Sequence, residues 1–215
     1  MIKPSFEEED KLWNREIEFV IGIDEVGRGA FAGPIVSAGV VFSSNVNQDT
    51  LHEVNDSKSL LPAVRTRCAK VITEIALFWT VESVGVPYIN KYGIGKANAS
   101  VFRKVIKNLL FYIQNDSYAI LLDGFHKKYL PGGIKKQKAI IKGDQKSISI
   151  AAASIIAKVY RDNLMRQLGK KYKEYRFAKH KGYGTKKHQE MIGKYGLCRE
   201  HRRSFNLQKF LPVTG

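Results

Sequence analysis

The sequence predicts an α/β protein in which a mixed sheet is flanked by helices. Three observations carry this expectation. Short, β-rich apolar runs recur along the chain, and longer segments with helical spacing of apolar residues lie between them. Two later runs, "YAILLDG" (118–124) and "KAIIKGD" (138–144), share one design of strand, glycine and acid. Taken in order, "FVIGI" (19–23) and "IVSAGVVF" (35–42) read as strands. The glycine-rich stretch between them is short enough for an antiparallel hairpin with an enlarged loop. Val64, Cys68, Val71, Ile72 and Ile75 then mark a helix, and "FWTVESVGV" (78–86) a third strand. A second helix follows from the spacing of Val101, Phe102, Val105, Leu109 and Ile113. After the two strand-glycine-acid runs, "SISIAAASIIAKVYRDNLMRQL" is a long helix, apolar over most of its circumference and therefore largely buried. A shorter helix is expected from Thr185, as its N-cap, to about Tyr195, with Gly196 placed to end it.

With 215 residues, 44% of them apolar, the chain suits one sizeable domain rather than a disordered polymer. No run approaches the length of a membrane span. The start, "MIKPSFEEEDKLW", lacks the charged-then-apolar pattern of a secretion signal, so a soluble protein of the cytoplasm is expected. Cys68 and Cys198 have no paired-ligand spacing and read as free thiols; the five histidines form no HExxH pair. Lys and Arg total 36 against 20 acids, a net charge of +16, which points to a polyanionic partner.

Acids nevertheless fall where the strands end: Asp24 and Glu25, Asp123, and Asp144. If those ends meet, four carboxylates share one small volume, and their mutual repulsion calls for cations. All-oxygen ligands favour Mg²⁺ or Mn²⁺ over zinc. Two such ions ~4 Å apart activate a water and stabilise a leaving oxygen in phosphoryl displacement. Successive strand residues point to opposite faces, so Asp24 and Glu25 converge only if the strand ends or bulges at Glu25. Each acid has a structural alternative as turn former or helix cap, Asp144 above all, because a helix begins soon after it. Asp162 reads as a structural ion-pair partner, Asp56 as a loop or helix-start residue, and Asp116 and Glu82 as solvated.

"GIDEVGRGAFAGP" resembles the first motif of the type 2 ribonucleases H, and is most similar to bacterial ribonuclease HII. The resemblance continues through "NDSKSL" (55–60), "LLDG" (121–124), "KGD" (142–144), "SISIAAASIIAKVYRD" (147–162), "HKGYGTKKH" (180–188) and "HRRSF" (201–205). The related ribonuclease HIII usually carries Gly-Lys-Gly where this chain has Gly27-Arg28-Gly29. It also has an extra N-terminal DNA-binding domain, for which the roughly twenty residues before the first motif are too few.

The resemblance implies a ribonuclease H-like mixed sheet flanked by helices, with a C-terminal helical extension. The division expected is a catalytic domain over 1–170 and a basic, substrate-binding extension over 171–215. It implies a metal-dependent endonuclease that cuts RNA in RNA–DNA hybrids and 5′ to a single ribonucleotide embedded in duplex DNA. Asp24, Glu25, Asp123 and Asp144 match the family's catalytic, metal-holding acids, with Mn²⁺ or Mg²⁺ as the ion. Gly27, Arg28 and Gly29 match the backbone that contacts the 2′-hydroxyl, a group that marks RNA and is reached only by close approach. Tyr183 matches the residue that stacks on the sugar at the RNA-to-DNA junction; the surrounding "KKYKEYRFAKHKGYGTKKH" interleaves basic and aromatic residues, as nucleic-acid surfaces do. The bland readings are a flexible hairpin loop for 27–34 and a core-folded loop tyrosine for Tyr183. Gly33-Pro34 reads as a turn into the next strand, and "REHRRSF" as a further phosphate-binding cluster. The final "QKFLPVTG" lacks the aromatic pair of a sliding-clamp box. A monomer without an obligate protein partner is expected.

Overall fold

The structure, a computed structural model, describes residues 3–212. Five strands form one sheet: β1 (Phe19–Val26), β2 (Ile35–Val41), β3 (Phe78–Val84), β4 (Tyr118–Asp123) and β5 (Gln137–Ile140), in the order β3-β2-β1-β4-β5. β1 and β2 form the expected antiparallel hairpin and β3 pairs antiparallel with β2. β4 and β5 add in parallel on the other side of β1. The mixed α/β sheet is therefore as predicted.

Helices cover both faces. α2 (Pro62–Ile75) and α4 (Ile148–Lys171) pack on one, where Val36, Ala38 and Val40 meet Ala152, Ile155 and Ile156. α3 (Val86–Ile113), interrupted at Gly93, covers the other with Val101, Phe102, Val105 and Leu109 against Ile21, Ile23 and Ile120. The small residues Ala151, Ala152 and Ala153 are fully buried, so the backbone of α4 lies close over β1 and β2. Ser147 caps that helix by accepting from the Ile150 amide at 3.2 Å.

A first helix, α1 (Glu7–Trp13), was not foreseen, because its acidic run "EEED" hides the amphipathic pattern. Its Glu9 is fully buried and accepts from Ser147 Oγ (2.6 Å) and the Ser149 amide (2.9 Å), a carboxylate set at the N-terminus of α4. Beyond α4, the short α5 (Phe177–His180) and α6 (Lys186–Tyr195) fold back over the loop between β1 and β2. Thr185 and Gly196 bound α6 as predicted. Ala32 of the loop packs with Met165, Tyr175 and Phe177 in a small separate core. Among the described residues no helix is long and apolar enough to cross a membrane, and both cysteines are free.

Candidate active site

The four acids gather where β1 and β4 part. Their parallel register ends at Ile23 opposite Leu122, which leaves Asp24 and Asp123 as successive neighbours at the point of divergence. No break occurs at Glu25: β1 stays regular to Val26, with Asp24, Glu25 and Val26 opposite Ala38, Ser37 and Val36. The expected kink is thus absent. Asp24 faces α4, beside the Ser154 hydroxyl, and Glu25 faces α3, beside Asn98. The two carboxylates straddle the sheet and still repel one another. Asp144 also departs from the expectation of a strand end. β5 stops at Ile140, and Asp144 lies beyond it in a 3₁₀ turn (Gly143–Gln145) before α4. It is not the cap of that helix, which is Ser147. The Gly143 amide donates to Asp123 Oδ1 at 2.7 Å and so ties this turn to the end of β4.

Burial raises the pKa of Asp24 to about 8, with the charge of Glu25 adding to the effect. Desolvation likewise lifts Glu25, against the charge of Lys127, and lifts Asp123, against the Gly143 amide. The Nδ2 of Asn98 is buried without a partner. Lys58 Nζ sits 3.2 Å from Asp144 Oδ2 as the local cation. A cleft of about 430 Å³ opens over this group, lined by Asp24, Glu25, Gly27, Gly29, Lys58 and Tyr183 among others.

Lys58, Lys127 and Arg28 offset these charges only in part, since Asp24, Glu25 and Asp123 all stay raised; carboxylates left in this state have the chemistry of a hard, oxygen-liganded divalent-ion site. Among the described residues no group of three or more His, Cys, Asp or Glu side chains is set closely enough to hold a metal ion as it stands. Of the four acids, Asp24 and Glu25 line the cleft.

The loop after β1 supplies the opposite wall. Gly27 has φ +94°, and a Cβ there would lie 2.1 Å from Arg161 Nε, so this glycine is required by the protein's own packing. At Gly29 a Cβ would meet nothing within 4 Å: the space is open toward the cleft. Arg28 is exposed, with its Nη1 4.0 Å from Glu25 Oε1. The Tyr183 ring is 37% exposed and sits over the Arg161 guanidinium, 5.4 Å from ring centre to Cζ. It is neither free in solvent nor folded into the core.

Several participants were missed. Arg161 and Arg202 are fully buried under the loop, which corrects the reading of "REHRRSF" as a surface phosphate cluster: Arg202 points inward, while Arg203 stays exposed. His188 and His201 are also fully buried, with their Nε2 atoms 3.0 Å apart. Lys58, two residues after Asp56 in "NDSKSL", is another: it reaches Asp144 from a separate loop. Asp162 is paired as expected, 3.6 Å from Arg65 and 2.5 Å from Lys158. Asp56 lies in a turn, accepting from the Lys58 amide, and Asp116 is exposed. Glu82 is half-buried and accepts from Asn108 at 2.7 Å, so it is not merely solvated.

Comparison with known proteins covers most of the chain. The Ribonuclease HII family model matches residues 21–208. Ribonuclease HII of Caldicellulosiruptor bescii is 42% identical over 200 residues, 93% of this chain and 92% of that protein. That of Caldanaerobacter subterraneus is 41% identical over 197 residues, 92% of this chain and 78% of the relative. Among solved structures, ribonuclease H2 from Pyrococcus horikoshii superposes with a TM-score of 0.72 at 25% identity, covering 89% of this chain and 96% of that one. Bst-RNase HIII, crystallised in complex with Mn²⁺, shares the fold with a TM-score of 0.71 at 24% identity, over 90% and 69% of the two chains. Matched along most of its length by sequence and by fold, the chain belongs to the ribonuclease HII family and is a ribonuclease H endonuclease.

Proposed function

We propose that this nuclease cuts RNA in RNA–DNA hybrids and, in duplex DNA, the phosphodiester 5′ to a single embedded ribonucleotide, leaving 3′-hydroxyl and 5′-phosphate ends. One observation carries the reading: the acids Asp24 and Glu25, the open Gly29 and the half-exposed Tyr183 line a single cleft. Asp24, Glu25, Asp123 and Asp144 would hold Mn²⁺ or Mg²⁺, which, when bound, supply an activated water and charge stabilisation at the leaving oxygen. The loop Gly27-Arg28-Gly29 brings backbone amides up to the ribose, and the 2′-hydroxyl can accept from them and donate in return. Exposed Arg28 steadies a neighbouring phosphate. Tyr183, held from behind by Arg161, offers a ring face to the adjoining sugar. Residues 171–215 contribute to substrate binding through the loop they cover and through exposed bases such as Lys179, Lys187 and Arg203. The enzyme acts in this reading as a cytoplasmic monomer with no obligate protein partner.

The test is a duplex DNA carrying one ribonucleotide, incubated with Mg²⁺ or Mn²⁺. Scission 5′ to the ribonucleotide is expected, and Asp24→Asn should abolish it in a folded protein. Binding without scission under both ions overturns the proposal.

A further inference from the structure

Two guanidiniums lie under the Gly27–Pro34 loop with only backbone carbonyls for partners. Arg161, from α4, donates to the carbonyls of Pro34 (3.0 Å), Ala32 (3.2 Å) and Lys181 (2.9 Å). Arg202, from the C-terminal segment, donates through Nε to Gly33 O (3.0 Å) and through Nη1 to Arg28 O (2.9 Å). Both residues are fully buried, and Arg202 Nη2 has no partner among the described residues. A buried charge of this kind is costly without a counter-ion. Desolvation and the charge of Arg161 pull the Arg202 guanidinium down to about 9.

Pinning the C-terminal segment does not need that charge. The segment already bonds to the loop through its backbone, from Arg202 N to Phe31 O (2.8 Å) and from Gly33 N to Glu200 O (2.9 Å). What distinguishes the guanidinium is the carbonyl it grips. Arg28 O belongs to the same peptide unit as the Gly29 N–H, and Gly29 is where the loop is open to the cleft. Donation into a peptide oxygen fixes the plane of the peptide. It also polarises the unit, which makes its N–H a stronger donor.

We infer that Arg202 is a positioning residue for ribose recognition: by holding the Arg28 carbonyl it aims and strengthens the Gly29 amide that meets the 2′-hydroxyl. This rests on the proposed reading that the Gly27-Arg28-Gly29 backbone recognises that hydroxyl. A lysine keeps the charge at this position but loses the planar two-pronged grip on Gly33 O and Arg28 O.

The experiment measures affinity of the full chain, in EDTA, for two duplexes that differ only in one ribose against deoxyribose. The ratio of the two dissociation constants isolates the contribution of the hydroxyl. Wild type is expected to prefer the ribose, and R202K to lose about tenfold of that preference, the scale of one well-placed hydrogen bond. In the folded variant, affinity for the all-deoxy duplex should stay close to wild type, whatever melting temperature is lost with the two carbonyl bonds. If R202K does not fold, Arg202→Gln, uncharged and smaller, is measured in the same way with the same expectation. A folded variant that keeps the full ratio overturns the inference and leaves the loop reading standing. So does one that loses affinity for both duplexes equally, because that is the signature of pinning alone. A wild-type protein with no ribose preference overturns the loop reading itself, and the inference with it.

Discussion

Gly27 and Gly29 stand two residues apart, and the sequence gives no reason to separate them. The structure does. Gly27 combines a left-handed backbone with Arg161 packed where a Cβ would go, whereas Gly29 faces empty space. Gly27→Ala should therefore destabilise the fold by about 1–3 kcal/mol, the cost of a strained backbone with a displaced neighbour. Gly29→Ala should leave the melting temperature within a degree or two, as surface changes do, and raise KM for a single-ribonucleotide substrate with the methyl group in the hydroxyl's path. Equal losses of stability in the two variants would refute this assignment. Asp24 yields a second contrast. Its carboxyl is buried and raised to about 8, so in the metal-free protein at neutral pH its ionised form opposes folding. Asp24→Asn should accordingly unfold in EDTA at a higher urea concentration than wild type, by ~1–3 kcal/mol. Adding Mn²⁺ should stabilise wild type far more than the variant. A wild type that gains nothing from Mn²⁺ would remove these acids from metal binding.

At the level of elements, the strands and long helices were legible because burial imposes their period. β1, β2, β4 and α4 appear where apolar spacing places them, and α6 between the cap and stop residues that mark it. What remained hidden depended on partners distant in the chain. The acids of α1 are unreadable as a helix until Glu9 is seen against the start of α4. Convergence of Asp24 and Glu25 was expected from a kink; β1 instead stays regular, and the two side chains take opposite faces of it near its end. The histidines of α5, α6 and the C-terminal segment were invisible for the same reason. His201 Nδ1 accepts from the Cys198 amide at 2.9 Å, so its Nε2 carries the proton and donates to His188 Nε2. His188 Nδ1 then donates to Tyr183 O at 2.9 Å. Both rings are neutral, desolvation holding each to about 4 against 6.5 unfolded. In the unfolded chain they take up protons first, so the stability they contribute is full above about 6.5 and is lost as pH falls toward about 4. Asp24 titrates in the opposite sense but is common to both proteins, so the comparison is with His201→Gln: across that window wild type should lose on the order of 3 kcal/mol of urea stability relative to the variant. His201→Gln should flatten the slope; an unchanged slope would mean these rings are not the groups that titrate.

Across the whole molecule, an excess of positive charge surrounds a site built of acids. The net +16 is spread over Lys and Arg that are mostly exposed, while the four acids sit at the junction of β1 and β4. These are opposite demands met by separation. In the proposed reading the surface would attract a polyanion at long range, and the acids, screened from it by burial, would take cations at short range. The Gly27–Pro34 loop joins the two, because the C-terminal segment that adds exposed bases also clamps the loop through Arg202 and Gly182. Substrate capture should then depend on salt and the chemical step should not. If about four phosphates are contacted, log K should fall with log salt at a slope near −3.6 for B-form duplex, a loss of ~10²-fold between 50 and 200 mM. The steady-state signature is a KM that climbs steeply with KCl at fixed divalent ion concentration while kcat stays within about twofold. A kcat that falls in parallel with affinity would place the exposed bases in the chemical step, and a flat KM would show that the basic surface does not hold the nucleic acid at all.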